Sequence, residues 1–314
     1  MKIVVTGCCG FIGSHLCEFL LKNTQNTILG VDIMNDYYDI TQKEENLDIL
    51  SEYDNFDFYK EDICKTKIIS EKKPELIIHL AAMAGVRYSI ENPKKYIDTN
   101  IKGTIHLLEE CQKNNINKFI YASSSSVYGK NFKIPFLEQD QIANMNSPYA
   151  VSKRCSELYS KLYHDLYKIN TIGLRFFTVY GPRGRPDMAP YIFLKKIMNS
   201  EIINVFGNGS SMRDYTYVSD IVEGINGAVN LILTGKKINK IYNLGNNKPV
   251  ELNQFINICE QVSCKKANLN YVSERKGDVP MTYADITLAK KELNFNPKVS
   301  LEKGLRNTLE WLHS

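Results

Sequence analysis

The sequence predicts an α/β protein built on a doubly wound parallel sheet, with a smaller α/β domain after it. Three observations carry that reading. Short apolar, β-branched runs alternate with helical patterns through the first 180 residues. A glycine-rich turn follows the first run and opens the first helix. The chain has 314 residues, more than one typical core, and its regular alternation stops near residue 181.

The elements follow in order. Strands are predicted at Lys2–Thr6, Thr27–Val31, Phe56–Tyr59, Leu76–Leu80, Lys118–Tyr121 and Thr171–Phe176. Continuous apolar runs of this length suit strands buried on both faces. Helices are predicted between them at Phe11–Lys22, Gln42–Tyr53, Lys65–Lys72, Pro93–Asn114 and Pro148–Tyr167. Gly181-Pro182-Arg183-Gly184-Arg185-Pro186 is rich in breakers and marks a boundary. We therefore divide the chain at 1–180 and 181–314. Beyond the break, helices are predicted at Pro190–Asn199, Val218–Leu233, Leu252–Val262, Ile286–Leu293 and Leu301–Leu312, and strands at Ile202–Val205, Ile241–Leu244 and Asn268–Tyr271. The strand Ile241–Leu244 and the helix before it are expected to return to the first domain, so that 214–246 belongs with 1–180. The rest would cap the C-terminal edge of the sheet, where such folds bind ligands.

Composition narrows the function classes. A net charge of +4 without an arginine-rich tract argues against a nucleic-acid partner. No apolar run reaches the ~18 residues of a membrane span, and the N-terminus lacks the pattern of a secretion signal. Eight cysteines are scattered without C-x-x-C spacing. We read them as reduced thiols in a cytoplasmic protein, with no metal site. A redox switch at the adjacent Cys8 and Cys9 is the lesser reading.

Gly7-Cys8-Cys9-Gly10-Phe11-Ile12-Gly13 has the spacing G-x-x-G-x-x-G between a strand and a helix. Glycines there allow a tight turn, a close approach to a pyrophosphate, and helix-to-strand packing. Asp32 ends the second strand about 20 residues on, where an acid binds adenosine ribose hydroxyls. Its carboxylate repels a 2′-phosphate, and no Lys or Arg follows until Lys43, so NAD is favoured over NADP. Asp62 and Ile63 follow the third strand and are candidates for the adenine edge. After His79, the small residues in Leu80-Ala81-Ala82 let backbone approach the cofactor. His79 itself reads as a packed core histidine rather than a base.

Tyr149 and Lys153 are four apart and share a helix face. An ammonium beside a phenol lowers its pKa from about 10, so the tyrosine can take a proton from a hydroxyl group. The serine cluster Ser123-Ser124-Ser125-Ser126 lies about 25 residues upstream.

Taken together, these motifs resemble the extended short-chain dehydrogenase/reductase family, and within it the nucleotide-sugar epimerases and dehydratases. The likeness runs nearly end to end and includes Ala81–Ser89, Asp98-Thr99-Asn100, Tyr121–Gly129, Leu174–Pro182, Met212–Val218 and Arg275-Lys276-Gly277-Asp278. It implies a Rossmann-type NAD domain over 1–180 and a nucleotide-sugar domain over 181–314. It also implies a homodimer formed through the helices at Pro93–Asn114 and Pro148–Tyr167. Ser124 matches the catalytic residue that bonds the sugar 4-hydroxyl, Tyr149 the acid/base, and Lys153 the residue on the nicotinamide ribose. Asn100 matches a structural, cofactor-side asparagine. Arg213 and Arg275 match arginines that clamp a diphosphate, and Asp278 an acid near the uridine ribose.

The resemblance also separates reaction types. All such enzymes oxidise C4 of the sugar first. Dehydratases and decarboxylases of the family then use carboxylates directly after the catalytic Ser/Thr, where this chain has Ser125 and Ser126. Serine cannot replace a carboxylate in proton transfer at neutral pH, which favours 4-epimerisation. Gly184–Ala189 and Ala84–Ser89 are most similar to segments of enzymes acting on UDP-glucuronate. A C6 carboxylate needs a cation, and Arg185 is the choice, aided by the Thr178 hydroxyl; Arg87 is a weaker candidate. The expected reaction is UDP-glucuronate to UDP-galacturonate. Alternatives are 4-epimerisation of UDP-glucose or UDP-N-acetylglucosamine, 4,6-dehydration, and, in another class, a catalytically silent NAD-binding regulator.

Overall fold

Ile3 and Val5 of the first strand pack to one side of a sheet with Leu16 and Leu20, while Val4 packs to the other with Ile69, Leu107 and Cys111. Leu76 and Ile78 repeat that division against Ile77. Alternate side chains of a strand point to opposite faces, so an all-apolar strand requires helices on both. The computed structural model describes residues 1–23, 25–131, 133–273 and 279–313. It contains, in order, β1 (Lys2–Thr6), α1 (Phe11–Asn23), β2 (Thr27–Asp32), α2 (Thr41–Ser51), β3 (Phe56–Lys60), α3 (Ile68–Lys72) and β4 (Leu76–His79). There follow α4 (Val86–Glu91), α5 (Pro93–Tyr96), α6 (Gly103–Lys113), β5 (Lys118–Ser124), α7 (Pro148–Tyr167) and β6 (Asn170–Phe176).

Beyond these come β7 (Thr178–Tyr180), α8 (Ala189–Met198), β8 (Ile202–Phe206), β9 (Met212–Tyr217), α9 (Val218–Ile232) and β10 (Asn239–Leu244). The chain ends with β11 (Pro249–Glu251), α10 (Leu252–Ser263), β12 (Asn268–Val272), α11 (Thr287–Leu293) and α12 (Leu301–His313). The central sheet has seven parallel strands in the order β10-β6-β5-β4-β1-β2-β3. From β1 the chain moves to β2 and β3, then returns to β1's other side as β4. A crevice opens at the C-terminal ends of β1 and β4, where such sheets bind ligands. β10 pairs with β6 from Asn239↔Thr171 to Leu244↔Phe176, so a strand from beyond the Gly181–Pro186 break lies in the large sheet. α9 packs against α1 and β6. Two small sheets, β11-β9-β7 and β12-β8, stand apart from the large one.

Some local expectations change. The helix predicted at Pro93–Asn114 is α5, a π-helical segment at Ile97–Lys102, and α6. Its wider turn carries the buried Asn100; such turns often sit at functional sites. The helix predicted at Lys65–Lys72 begins only at Ile68, because Asp62 accepts from the backbone N–H of Cys64 and Lys65 and holds a turn there. α4, β7, β9 and β11 were not predicted; all four span six residues or fewer, too short for a periodic signal.

α7 begins where its sequence directs. Ser147 accepts a hydrogen bond from the Ala150 N–H at 3.2 Å, and Pro148 takes the first helical position. The face it buries is polar, with Ser152, Lys153, Ser156, Glu157 and Ser160. Arg175 of β6 donates from Nε and Nη2 to Glu157 at 2.8 and 3.0 Å, and Ser123 of β5 donates to the same carboxylate at 2.6 Å. A buried pair satisfied this fully fixes how α7 sits on β5 and β6. Among the described residues no helix is long and apolar enough to cross a membrane.

Candidate active site

The cofactor end is built from backbone. Gly7 leaves β1 at φ +74°, and a Cβ there would lie 2.8 Å from the Ala81 nitrogen. A Cβ on Gly13 would lie 2.0 Å from the Gly7 carbonyl oxygen. Any side chain at either position forces the turn, β4's end and α1 apart. Gly10 donates to the Gly7 carbonyl at 3.1 Å, and Phe11 and Ile12 begin α1, whose first N–H groups lack helical partners. Leu80 and Ala81 donate to Thr6, so the Leu80–Ala82 segment lies directly against the turn. A cradle that a methyl group would fill suits a pyrophosphate and its flanking sugars.

Asp32 ends β2 and accepts from the Cys9 N–H at 3.3 Å and the Met34 N–H at 2.9 Å. Its carboxylate therefore borders the glycine turn. Lys43 was set aside in the sequence as distant, and the structure corrects that. α2 folds back so that Lys43 Nζ lies 3.6 Å from Asp32 and donates to Asn35 at 2.7 Å, with a side chain only 7% exposed. Eleven residues of sequence hide a direct contact. Asp62 is partly buried and Ile63 buried at the end of β3, on the same sheet edge.

The two catalytic candidates lie on the first turns of α7. Lys153 donates to the Ala122 carbonyl at 2.9 Å, and burial pushes its ammonium down to about 8. Burial pushes the Tyr149 phenol up; a hydrogen bond with Ser124 and the charge of Arg185 oppose that. The sequence reading assigned the opposing effect to Lys153. In the structure Lys153 is turned to a β5 carbonyl. Ser124 ends β5, and its hydroxyl also accepts from the Ser126 N–H at 3.1 Å. Ser125 and Ser126 lie in the 3₁₀ turn Ser125–Tyr128 that follows, both partly exposed. Asn100 bonds the Met83 N–H and carbonyl and donates to Ser152 at 2.9 Å, tying the β4 loop to α7.

His79 is indeed a packed core residue. It bonds Thr6 at 2.8 Å and Thr104 at 3.1 Å, and burial lowers its imidazole to about 3. Both ring nitrogens are engaged by threonine hydroxyls, as in a packed core residue. Cys8 and Cys9 are fully buried with sulfurs 3.7 Å apart, and burial pushes the Cys8 thiol up, away from reactive thiolate.

Arg185 lies in the loop between β7 and α8, its charge felt by Tyr149. Its guanidinium sits 5.5 Å from the Tyr37 ring centroid. Thr178, partly buried, opens β7 opposite Tyr215. Arg213, on β9, donates to the Met212 carbonyl at 2.8 Å. Arg275 and Asp278 lie outside the described residues, but the chain after them enters beside Arg213, where the Pro280 carbonyl accepts from the Met212 N–H at 2.9 Å. Arg87 is exposed on α4. The structure thus places Ser124 and Arg185 near Tyr149, with Lys153 one turn further along α7.

Three further groups escaped the sequence reading. Tyr37 and Tyr96 both donate to the Ala84 carbonyl at 2.7 Å, and the Tyr96 ring lies 6.1 Å from that of Tyr149. Asp187 pairs with Arg185. Only Asp187 carried a signal, an acid two positions from the chosen cation.

The chain is similar to known proteins over its whole length. Residues 4–308 match the family model described as GDP-mannose 4,6 dehydratase. A UDP-glucuronate 4-epimerase of Thermodesulfobacterium geofontis is 43% identical, covering 98% of this chain and 95% of that protein. The crystal structure of UDP-glucuronic acid 4-epimerase from Bacillus cereus, in complex with UDP-glucuronic acid and NAD, superposes with a TM-score of 0.94 at 36% identity, covering 100% and 99% of the two chains. UDP-glucose 4-epimerase from Thermotoga maritima, solved with UDP-glucose, gives 0.90 at 34% identity, again over 100% and 99%. With its glycine turn, parallel sheet and Ser–Tyr–Lys constellation, the chain belongs to this family of nucleotide-sugar epimerases and dehydratases of the short-chain dehydrogenase/reductase type.

Proposed function

We propose that the protein is an NAD-dependent UDP-sugar 4-epimerase, an isomerase that interconverts UDP-glucuronate and UDP-galacturonate. The observation that carries this reading is Arg185, a cation placed within electrostatic reach of the Tyr149 phenol. In this reading Gly7, Gly10, Phe11, Ile12 and Gly13 hold the cofactor pyrophosphate, and Asp32 its adenosine ribose. Asp62 and Ile63 border the adenine; Leu80, Ala81, Ala82 and Asn100 line the path to the nicotinamide, with Tyr149 and Lys153 at its ribose. Bound NAD would supply the hydride acceptor and donor for C4. Ser124 fixes the sugar 4-hydroxyl while Tyr149, as phenolate, takes its proton and later returns it to the C4 oxygen, the inversion at C4 coming from hydride return to the opposite face. Arg185 and Thr178 hold the C6 carboxylate, and Ser125 and Ser126 leave no carboxylate in place for dehydration. Fixing the C6 carboxylate also keeps the 4-keto intermediate, a β-keto acid, out of alignment for decarboxylation. Arg213, Arg275 and Asp278 serve the UDP moiety, with Arg87 at the margin.

The domain division 1–180 and 181–314, with 214–246 joining the first, follows the same reading. We also propose a cytoplasmic homodimer. All eight cysteines are free thiols, and Val151, Leu158, Leu162 and Leu166 form an exposed apolar stripe along α7 near Ile97. Light scattering would give a dimer mass; Leu158→Glu with Leu162→Glu should give a monomer.

The direct test is incubation with a panel of UDP-sugars and identification of products by NMR. UDP-galacturonate from UDP-glucuronate is expected. A preference for UDP-glucose or UDP-N-acetylglucosamine, a 4-keto-6-deoxy sugar, or no turnover of any UDP-sugar would overturn the reading.

A further inference from the structure

Arg185 is already holding a carboxylate. Its Nε donates to Asp187 Oδ1 at 3.0 Å and its Nη2 to Oδ2 at 2.5 Å. Nε and Nη2 form the side-on edge of the guanidinium, the edge that grips a carboxylate with two parallel bonds. The same Nη2 has only a long contact, 3.4 Å, with the Tyr37 hydroxyl. The two partners differ in exposure: the Arg185 side chain is 18% exposed and that of Asp187 is 47% exposed. The cation is fixed against Tyr37 and Gly85, whereas the acid faces water. Gly85 contributes by its lack of a side chain, since a Cβ there would lie 2.8 Å from the Tyr37 oxygen and 3.5 Å from Arg185 Nη2.

We propose that Asp187 is a residue of the substrate site, an internal carboxylate that occupies Arg185 until the sugar C6 carboxylate displaces it. This rests on the UDP-glucuronate reading and deepens it. The exchange replaces one carboxylate with another on the same two N–H groups, and the released Asp187 moves into solvent. No proton moves, and one carboxylate is solvated before and after the exchange. A neutral sugar has nothing to offer in exchange. Its C6 hydroxymethyl group leaves the pair closed, so the acidic sugar alone meets the competition.

An opposite role is conceivable for the same geometry: Asp187 could stay in place and orient Arg185, leaving Nη1 for the substrate. The two differ in the sign of one measurement. NAD-loaded protein in a Tyr149→Phe background, which does not turn over, is titrated calorimetrically with UDP-glucuronate, UDP-glucose and UDP, with and without Asp187→Asn. Asparagine keeps the shape and removes the competing charge. Displacement predicts UDP-glucuronate binding about 3- to 10-fold tighter, with UDP-glucose and UDP unchanged within about twofold. Asp187→Glu, which retains the charge, should stay close to the parent. Weaker or unchanged UDP-glucuronate binding in Asp187→Asn, or equal tightening for all three ligands, overturns the proposal. A parent protein that binds UDP-glucose as tightly as UDP-glucuronate overturns the substrate reading, and this proposal with it. A preserved preference without a gain in Asp187→Asn overturns this proposal alone.

Discussion

The two ends of the crevice satisfy their charges differently. At the cofactor end Asp32 is held by two backbone N–H groups of the turn it borders and by Lys43 behind it. These partners belong to the scaffold and stay in place when a ligand arrives. At the substrate end Arg185 is paired with the half-exposed Asp187, and Arg213 turns to the carbonyl of its own neighbour. Those partners are replaceable. The cofactor cradle is thus preorganised, and the sugar clamp exchanges one set of partners for another. A cofactor reused in every turnover suits the first arrangement, and a substrate that must enter, rotate and leave suits the second.

Removing the Tyr149 hydroxyl should show the largest effect, because both ends converge on it. Tyr149→Phe is expected to lower turnover by about 10³-fold or more while NAD and UDP-sugar binding persist. Steady-state kinetics with binding titrations check this, and near-normal turnover would remove Tyr149 from the mechanism.

Arg185→Ala tests the replaceable end. A desolvated C6 carboxylate without its guanidinium should cost about 2–5 kcal/mol in kcat/KM for UDP-glucuronate. Turnover of UDP-glucose, which lacks that carboxylate, should change much less. More pentose product per turnover is also expected, since the carboxylate of the 4-keto intermediate is then free to align for loss of carbon dioxide. Equal losses for both sugars would assign Arg185 a structural role.

Asp32 tests the preorganised end. Dinucleotide released from denatured protein should be NAD. Asp32→Ala should weaken NAD by about tenfold and narrow its margin over NADP, with Lys43 then unpaired beside the ribose. Predominant NADP in the parent would show that Lys43, not Asp32, dominates that pocket.

How much of this was legible follows the same division. The glycine turn, Asp32, Ser124, Tyr149 and Lys153 could be read because each occupies a fixed place relative to a strand or helix end. Lys43 was misread because α2 folds back over the turn, and no periodicity reports a fold-back of eleven residues. The π-helical turn at Ile97–Lys102 was invisible because one extra residue in a turn barely disturbs an apolar pattern. Asp187 was in plain view, yet a sequence does not say whether a neighbouring acid faces its cation or water. Short strands such as β7 and β11, three residues each, offer no period to detect.

Lys153 carries the smallest expected effect, and its direction is the least intuitive. The residue is 5% exposed, and burial lowers its ammonium to about 8, against about 10.4 for an unfolded lysine. Below pH 8 both states hold the proton, so the full cost of burying the charge is present. Between about 8 and 10.4 the unfolded chain binds more protons than the folded one, and stability rises with pH until that cost is gone. Lys153→Met removes the charge but leaves the Ala122 carbonyl without its donor, which returns about 1 kcal/mol or more of the gain. The net expectation is a variant about 1–2 kcal/mol more stable than the parent at pH 7, with activity lost. Its advantage should shrink as the pH is raised from 7.5 to 10, because only the parent gains stability over that range. Urea titrations of both proteins at four or five pH values, without added NAD, measure this directly. A variant less stable at pH 7, or an advantage that grows with pH, would show that Lys153 is stabilised by its surroundings rather than held there against them.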